Sequence, residues 1–223
     1  MSGGRSVGGH TRVKTARRRT ASSTRWLSRQ LNDPYVKRAI ADGYRSRAAY
    51  KLIELDEKFG ILRGVSAVVD LGIAPGGWAQ VVRRLRPGAA IVGIDLLRVE
   101  PIEGVTLLQM DFMDDAAPAL LIEQLGRAPD LIVSDMAANT VGHQRTDHLR
   151  TIALAEAAAE FAIETLGQGG TFVTKVFQGG TNQALLQRLK QVFTSVRHAK
   201  PPASRKGSPE LFVVAQGRKP RED

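Results

Sequence analysis

One stretch constrains the fold of this chain more than any other. The β-branched pair Val68-Val69 leads into an acid, Asp70, and a glycine-rich loop follows before a helical pattern begins at Trp78. This order predicts a buried strand, a tight turn and a helix N-terminus, which is the part of an α/β sheet where ligands bind. Glycine suits such a turn because the absence of a Cβ lets the backbone approach a ligand closely. An ordinary strand-to-helix turn is the alternative.

The glycine-rich loop favours one class of ligand over two others. Its spacing does not match the G-x-G-x-x-G dinucleotide fingerprint, and it lacks the Gly-Lys-Ser/Thr end of a P-loop. Asp70 also disfavours a pyrophosphate, because both groups are negatively charged. An acid that faces a glycine loop suits a ligand with a cationic amino group and hydroxyls. S-adenosylmethionine has both, and we predict it as the cofactor.

Composition indicates one globular domain with a polyanionic partner. The chain has 223 residues, 43% of them hydrophobic, and no Cys, which excludes disulfides and thiolate metal sites. Its four His lack a paired spacing, and no apolar run is as long as a membrane span. We therefore expect no metal and no membrane, and a soluble, cytoplasmic protein. The net charge of +10 points first to nucleic acid, although a merely basic surface is the alternative.

The basic charge is concentrated at the N-terminus. Residues 1–30 carry eight Arg or Lys and no acid, with Gly, Ser and Thr between them. Such a segment buries too little apolar surface to fold alone. We predict a disordered basic arm that contacts RNA phosphates, an inert tail being the alternative. Residues 31–219 are predicted to form a single domain, and residues 220–223 a tail.

Strand-like and helix-like patterns alternate through the rest of the chain. The predicted strands are Ala67–Leu71, Ala90–Leu96, Val105–Met110, Leu131–Ser134, Gly170–Phe177, Ser195–Ala199 and Glu210–Ala215. The predicted helices cover residues 33–41, 46–59, 78–85, 116–126, 147–166 and 182–193, with Ser46 as the N-cap of the second. Alternation predicts an α/β fold with a mostly parallel sheet and helices on both faces. The last two strands have no helix between them, so they are predicted to pair antiparallel.

Polar residues collect where the predicted parallel strands end. Four acids follow successive strands, and they are Asp70, Asp95, Asp111 and Asp135. A lysine, Lys175, lies inside the fifth strand, where it needs a carboxylate partner, and Asp135 on the neighbouring strand is the natural one. An antiparallel last strand would bring its first residue, Glu210, to the same edge. Position alone leaves Lys51 as a solvated surface lysine.

A set of short motifs gives the chain a family resemblance. The motifs are Ser46-Arg47-Ala48 before Lys51, Asp70-Leu71-Gly72, Ala74-Pro75-Gly76-Gly77-Trp78, Asp95-Leu96-Leu97, Asp111-Phe112, Ser134-Asp135-Met136-Ala137, Lys175-Val176-Phe177-Gln178-Gly179 and Lys200-Pro201 through Glu210. Over Ser23 to Lys219 the chain resembles the FtsJ family of S-adenosylmethionine-dependent RNA ribose 2′-O-methyltransferases. It is most similar to members that methylate a uridine of 23S ribosomal RNA in the large ribosomal subunit.

The resemblance implies a fold and a set of site residues. The implied fold is the Rossmann-like methyltransferase fold, a mostly parallel seven-stranded sheet with an antiparallel last strand. The implied catalytic residues are Lys51, Asp135, Lys175 and Glu210. The implied cofactor-binding residues are Asp70, Gly72, Pro75, Gly76, Gly77, Trp78, Asp95, Asp111 and Asp135. Lys175 is expected either to accept the proton of the ribose hydroxyl or to steer its oxygen. RNA contacts are expected from the arm and from Lys37, Arg38, Arg47, Arg205 and Lys206.

The sequence departs from the family at a few positions and leaves other functions open. Ala138 stands in place of a proline, Thr140-Val141 in place of Met-Ser, and Ile73 in place of a small residue, changes expected to alter loops near the target base. The alternative functions are methylation of tRNA or of an mRNA cap, a non-catalytic ribosome-assembly factor, and a nicotinamide oxidoreductase. A monomer is expected by default.

Overall fold

Seven strands pair side by side into one mixed sheet. In chain order they are β1 (Ala67–Leu71), β2 (Ala90–Asp95), β3 (Val105–Gln109), β4 (Leu131–Ser134), β5 (Thr171–Phe177), β6 (Phe193–Ala199) and β7 (Glu210–Arg218). The spatial order is β3-β2-β1-β4-β5-β7-β6. The computed structural model describes residues 20, 28, 31–138, 144–177, 183–205 and 207–221. Thr140-Val141, Lys206 and, apart from Thr20 and Ser28, the predicted arm lie outside the described residues.

The sheet confirms the predicted mixture of parallel and antiparallel strands. Strands β3, β2, β1, β4 and β5 pair parallel. Strand β7 runs antiparallel between β5 and β6. It also continues to Arg218 instead of ending at Ala215 as predicted. The polar end reads as loop in sequence, but the Arg218 guanidinium is buried and donates to the backbone oxygen of Ile163, which satisfies it.

In the part of the chain that the structure describes, six helices with defined bounds cover the two faces of the sheet. They are α1 (Pro34–Ala41), α2 (Ala49–Phe59), α3 (Gly77–Leu85), α4 (Ala117–Leu125), α5 (Gln144–Thr165) and α6 (Gln183–Val192). Successive strand residues point to opposite faces, so Val68 packs with the first three helices and Val69 with the last three. This explains why the central strands β1, β4 and β5 are mostly apolar, as expected for strands buried on both faces, whereas the edge strands β3 and β6 are partly exposed. Each fully buried aliphatic side chain stabilises the fold by about 1.5–3 kcal/mol.

The start of α2 corrects one prediction. Ser46 does not cap this helix: α2 begins at Ala49 after a turn in which the Ala49 N–H donates to the backbone oxygen of Ser46 at 3.3 Å. The Ser46 hydroxyl instead lies against Gly77, where an added Cβ would come within 2.5 Å of it. The close approach of α3 therefore decides where Ser46 points. By contrast, Asp33 caps α1 through its carboxylate, which accepts from the Tyr35 N–H at 3.0 Å.

The helices also bear on the expected absence of a membrane segment. Within the described residues, no helix combines the length and the apolar character needed to cross a bilayer.

Candidate active site

The four acids predicted at strand ends lie along one edge of the sheet. Asp70 is the penultimate residue of β1 and Asp95 is the last residue of β2. Asp111 follows β3 after one intervening residue, and Asp135 comes directly after β4. The strands that carry them are parallel neighbours, so their carboxyl ends meet at this edge.

Two lysines and two carboxylates form a connected ionic cluster at this edge. Lys175 Nζ lies 2.9 Å from Asp135 Oδ1 and also donates to the backbone oxygen of Asp135. Lys51 Nζ lies 2.8 Å from Glu210 Oε2 and 3.4 Å from Asp135 Oδ2. Asp135 is therefore shared by both lysines, and the structure brings together all four residues predicted to be catalytic.

Lys51 corrects the interpretation drawn from its position in the chain. It is not a solvated surface lysine, because only 8% of the residue is exposed. Helix α2 packs it against the sheet, and its Nζ lies 5.5 Å from the centroid of the Phe212 ring. The apolar residues of α2 indicate a buried helix face, but they do not show that carboxylates lie opposite this face.

Strand direction explains how Glu210 reaches the cluster. In the antiparallel pairing of β5 with β7, Glu210 lies opposite Phe177, which ends β5. The first residue of β7 is thus at the edge where the parallel strands end, as predicted. Glu210 is oriented further by Ser204, whose hydroxyl donates to Glu210 Oε1 at 2.8 Å. Ser204 gave no signal in the sequence, since its role depends on how the loop before β7 folds back.

The surroundings of Asp135 and Asp70 shift the pKa values of these two carboxylates in opposite directions. Burial by itself raises the pKa of Asp135, but Lys175 and Lys51 outweigh it and hold this pKa below its ordinary value. Burial also raises the pKa of Asp70, and the nearby charges of Asp135 and Asp95 raise it further, to about 8. Among the described residues no cation offsets this rise in the pKa of Asp70, although a hydrogen bond from the Ala79 backbone amide opposes it in part.

A cavity of about 550 Å³ lies beside the ionic cluster and shares Asp135 with it. Four of the predicted cofactor-binding residues line it, and they are Gly72, Asp95, Asp111 and Asp135. Gly72 adopts a φ of +77°, and a Cβ there would lie 2.7 Å from Met136 Cγ. Glycine is therefore required at this point of the loop.

Asp95 is anchored in the cavity wall by backbone hydrogen bonds. Its two carboxylate oxygens accept from the backbone N–H groups of Ala74 and Leu97, each at 2.9 Å. The first of these bonds ties the glycine-rich loop to the end of β2. Asp111 likewise accepts from the Met113 N–H at 2.9 Å. Both acids therefore shape their own loops, and both line the cavity.

Five predicted cofactor residues do not line the cavity. Asp70 is 2% exposed in β1, and the others are Pro75, Gly76, Gly77 and Trp78. The Trp78 indole is directed into the core, where its N–H donates to the backbone oxygen of Ala48 at 2.7 Å and its ring packs against Phe212. Cofactor binding by these five residues stays a prediction, and for Trp78 it concerns the backbone rather than the ring.

The sequence missed several residues of the cavity and its support. Arg150, Ala153 and Leu154 of α5 line the cavity, although nothing in the sequence distinguishes them from other helical residues. Arg45 donates to the backbone oxygens of Glu100 and Pro101, at 2.6 and 2.8 Å, and to that of Pro75. It joins the glycine-rich loop to the loop after β2, a contact between distant parts of the chain that no local pattern predicts.

The positions at which the sequence departs from the family pattern have different surroundings in the structure. Ile73 is buried against Gly93 of β2, where an added Cβ would lie 2.2 Å from the Ile73 side chain, and an effect of Ile73 on loops near the target base stays a prediction. The absence of a side chain at Gly93 makes room for the larger residue. Ala138, by contrast, lines the cavity.

The basic residues predicted to contact RNA differ in how free they are. Arg47 is engaged by Asp33, with Arg47 Nε 3.1 Å from Asp33 Oδ2. Arg205 approaches the same oxygen at 3.6 Å, and Arg38 pairs with Asp42 at 3.6 Å. Lys37 is exposed. RNA contact by these residues stays a prediction, and Arg47 additionally has a structural role.

In the part of the chain that is described, no group of three or more His, Asp or Glu is arranged to hold a metal ion.

Comparisons with known proteins place the chain in a family. The chain is 71% identical over 221 residues to ribosomal RNA large subunit methyltransferase E of Sphingopyxis alaskensis, covering 99% of this chain and 96% of the relative. It is 74% identical over 210 residues to the protein of the same name from Erythrobacter litoralis, covering 94% and 96%. A crystal structure of a ribosomal RNA methyltransferase from Plasmodium falciparum matches with a TM-score of 0.70 and 32% identity, over 80% of this chain and 100% of that one. The FtsJ-like methyltransferase model matches residues 44–218, and the chain is a member of that family.

Proposed function

We propose that this chain transfers the methyl group of S-adenosylmethionine to the ribose 2′-oxygen of a uridine in 23S ribosomal RNA, within the large ribosomal subunit. The observation that carries the proposal is the shared carboxylate: Asp135 belongs both to the wall of the cavity and to the cluster with Lys51 and Lys175. A methyl donor in the cavity would thus lie beside the lysines. The names of the relatives from Sphingopyxis and Erythrobacter support ribosomal RNA of the large subunit as the substrate.

The cavity fits the proposed cofactor in size and chemistry. Its volume of about 550 Å³ is that of a site for one small molecule. Asp95 would bind the ribose hydroxyls of the cofactor and Asp111 would lie near its adenine, between apolar walls that include Leu96 and Phe112. The acids of this edge also favour the positive charge of the ligand. Gly72 keeps the loop open where a Cβ would collide with Met136.

In the proposed mechanism, each bonding position of the Lys175 amine has its own partner. The cofactor supplies an electrophilic methyl group, so that the bond from the 2′-oxygen to the methyl carbon forms as the bond from carbon to sulfur breaks and S-adenosylhomocysteine leaves. Lys175 Nζ has two acceptors on Asp135, the carboxylate and the backbone oxygen. Among the described residues its remaining position is free to meet the 2′-hydroxyl: as a neutral amine it accepts the proton that the attacking oxygen loses, and as an ammonium it orients the oxygen by donating to it. Correct placement of the oxygen is expected to provide much of the acceleration.

The other residues of the cluster hold Lys175 and the nucleotide in place. Asp135 contacts Lys175 Nζ through its carboxylate and through its backbone oxygen, and these two contacts restrict the motion of the lysine side chain. Lys51 joins Asp135 to Glu210, and Ser204 orients Glu210 from the opposite side. We expect the loss of Lys51 or Glu210 to reduce the rate less than the loss of Lys175 does.

The proposal extends to the parts of the chain around the site. Residues 31–219 act as one methyltransferase domain, and the basic arm of residues 1–30 binds RNA phosphates with a strength that falls as salt rises. Of the basic residues near the site, Lys37 is the most available for such a contact, because it is exposed. The protein is expected to work as a cytoplasmic monomer.

Transfer of labelled methyl from S-adenosylmethionine tests the proposal. The acceptors are large ribosomal subunits that lack ribose methylation, fully methylated subunits, free ribosomal RNA, tRNA and capped mRNA. Label confined to a uridine ribose of the unmethylated subunits, and lost with Lys175→Ala, is the expected result. Label in tRNA or in the mRNA cap instead would show that this RNA, and not ribosomal RNA, is the substrate. Cofactor binding without transfer to any RNA would contradict the proposed reaction.

A further inference from the structure

Two aromatic rings stack at the rim of the site and have no part in the mechanism above. His148 belongs to α5 and Phe177 ends β5; their ring centroids lie 5.9 Å apart and the rings are nearly parallel, at 15°. Both residues are only partly buried. Neither belongs to the two hydrophobic clusters that the described residues form on the faces of the sheet. The stack is therefore not explained by packing of the core.

The position of Phe177 places this pair next to the ionic cluster. Phe177 follows Lys175 by two residues in β5, so the two side chains project from the same face of the strand. Across the sheet, Phe177 is opposite Glu210 in the register of β5 and β7. The ring thus lies beside two members of the cluster, at the same edge of the sheet.

The other ring comes from a helix that also contacts the cavity. Arg150 and Leu154 of α5 line the cavity, whereas His148 meets Phe177. His148 and Arg150 are about 200° apart around a helix, which puts them on nearly opposite sides. The N-terminal part of α5 therefore has one side toward the cavity and another toward the aromatic pair.

The chemistry of a nucleotide indicates what such a pair would contact. The base is attached to C1′, the carbon next to the one that carries the 2′-hydroxyl. A nucleotide whose 2′-oxygen is held at Lys175, with its methyl donor in the cavity, must place its base beside the cluster and outside the cavity. Proteins hold RNA bases that have left a helix by stacking them on aromatic side chains. Resting on the proposed function, we infer that His148 and Phe177 form the stacking platform for the base of the nucleotide that is methylated.

Steady-state kinetics on unmethylated large ribosomal subunits test this inference. With His148→Ala, we expect the KM for the subunits to rise about tenfold, which corresponds to about 1.4 kcal/mol and to the loss of one base–aromatic stack. The KM for S-adenosylmethionine should not change. His148→Phe should restore the wild-type values, because it keeps an aromatic face. Phe177→Ala should behave as His148→Ala does, and Phe177→Tyr as wild type.

Leu149→Ala is the matched control, since Leu149 is the next residue of α5 and is 58% exposed. It should leave both KM values unchanged. If His148→Ala raises the KM for the cofactor as well, the ring only supports α5, and the inference is wrong. Rescue by His148→Gln but not by His148→Phe would indicate a hydrogen bond and would also overturn stacking. Activity equal to wild type in both alanine variants contradicts the inference alone, whereas an inactive wild type contradicts the proposed function and the inference with it.

Discussion

Asp70 and Asp135 lie on adjacent central strands, yet their surroundings give them opposite behaviour. Asp70 in β1 is 2% exposed, its Oδ2 has no hydrogen-bond partner among the described residues, and its pKa is raised to about 8 by burial first. Asp135 after β4 is contacted by two lysines, which hold its pKa below the ordinary value in spite of burial. Burial thus favours the neutral acid, and only nearby cations reverse this preference.

The comparison distinguishes two uses of a buried carboxylate. Asp135 connects Lys51 of α2 to Lys175 of β5, and Lys51 in turn joins Glu210 of β7 to the cluster. Burial raises the pKa of Asp70 to about 8, which favours the neutral acid, and the neutral acid is not repelled by Asp95 and Asp135. The other two acids of this edge, Asp95 and Asp111, are stabilised by backbone N–H groups.

The largest effect is expected when the partner of Asp135 is removed. Lys175→Ala should lower kcat for methyl transfer by a factor of about 10²–10⁴, the usual contribution of a positioned proton acceptor. Single-turnover transfer to unmethylated subunits measures it. Lys190→Ala, at an exposed position of α6, is the control and should retain full activity. An active Lys175→Ala enzyme would remove Lys175 from both proposed roles.

Removing the shared carboxylate should affect stability as well as activity. Asp135→Ala leaves Lys51 and Lys175 buried without their common partner, and breaking such a buried pair costs about 3–5 kcal/mol. Urea unfolding at pH 7, followed by circular dichroism, gives the free energy of unfolding. Asp130→Ala is the reference variant. It removes the ion pair with Arg127 and the acceptor of two backbone N–H groups, so it also loses several contacts of a carboxylate. A loss below 1 kcal/mol for Asp135→Ala would show that the lysines find other partners.

The raised pKa of Asp70 predicts a pH dependence of stability with a definite sign. Between the ordinary value of 3.8 and about 8, the folded chain retains a proton on Asp70 that the unfolded chain has released. The contribution of Asp70 to stability is therefore complete below pH 4 and declines as pH rises toward 8, by up to about 1.4 kcal/mol per pH unit. Asp135 has the opposite sign, since its lowered pKa contributes stability that is lost as pH falls through its folded value.

Asp70→Asn isolates this effect, because the amide resembles the neutral acid in shape. The free energy of unfolding of the variant should match that of wild type near pH 4 and exceed it by a growing amount as pH rises toward 8. Urea titrations across this range measure the difference between the two curves. Curves that run parallel from pH 4 to pH 8 would mean that Asp70 ionises normally despite its burial.

The smallest effect concerns the outer part of the Asp135 cluster. Ser204→Ala removes one hydrogen bond to Glu210 and leaves every ion pair in place. A single bond of this kind is worth about 0.5–1.5 kcal/mol, so kcat should fall about two- to tenfold. Ser195→Ala, on β6 and outside the cluster, is the control for the same initial-rate assay. A drop as large as that of Lys175→Ala would show that Glu210 is more than a supporting residue.

Local patterns predicted the sheet because strands buried on both faces are apolar without interruption. The same patterns placed Lys175 beside Asp135 correctly, since a lysine within such a strand needs a carboxylate partner and adjacent parallel strands end together. Prediction was wrong where a distant element decides the outcome. Ser46 does not cap α2, because its hydroxyl lies against Gly77, and Lys51 is buried because α2 packs it against the sheet.

The sequence by itself determined the order of strands and helices, the edge at which the acids meet and the family resemblance. These follow from local periodicity and from the direction of parallel strands. Only the tertiary structure decided that Lys51 is buried, that Trp78 faces the core and that His148 meets Phe177. These three facts depend on residues distant in sequence that come within a few ångströms of one another. No local pattern encodes such contacts, because the packing of α2, α3 and α5 on the sheet creates them.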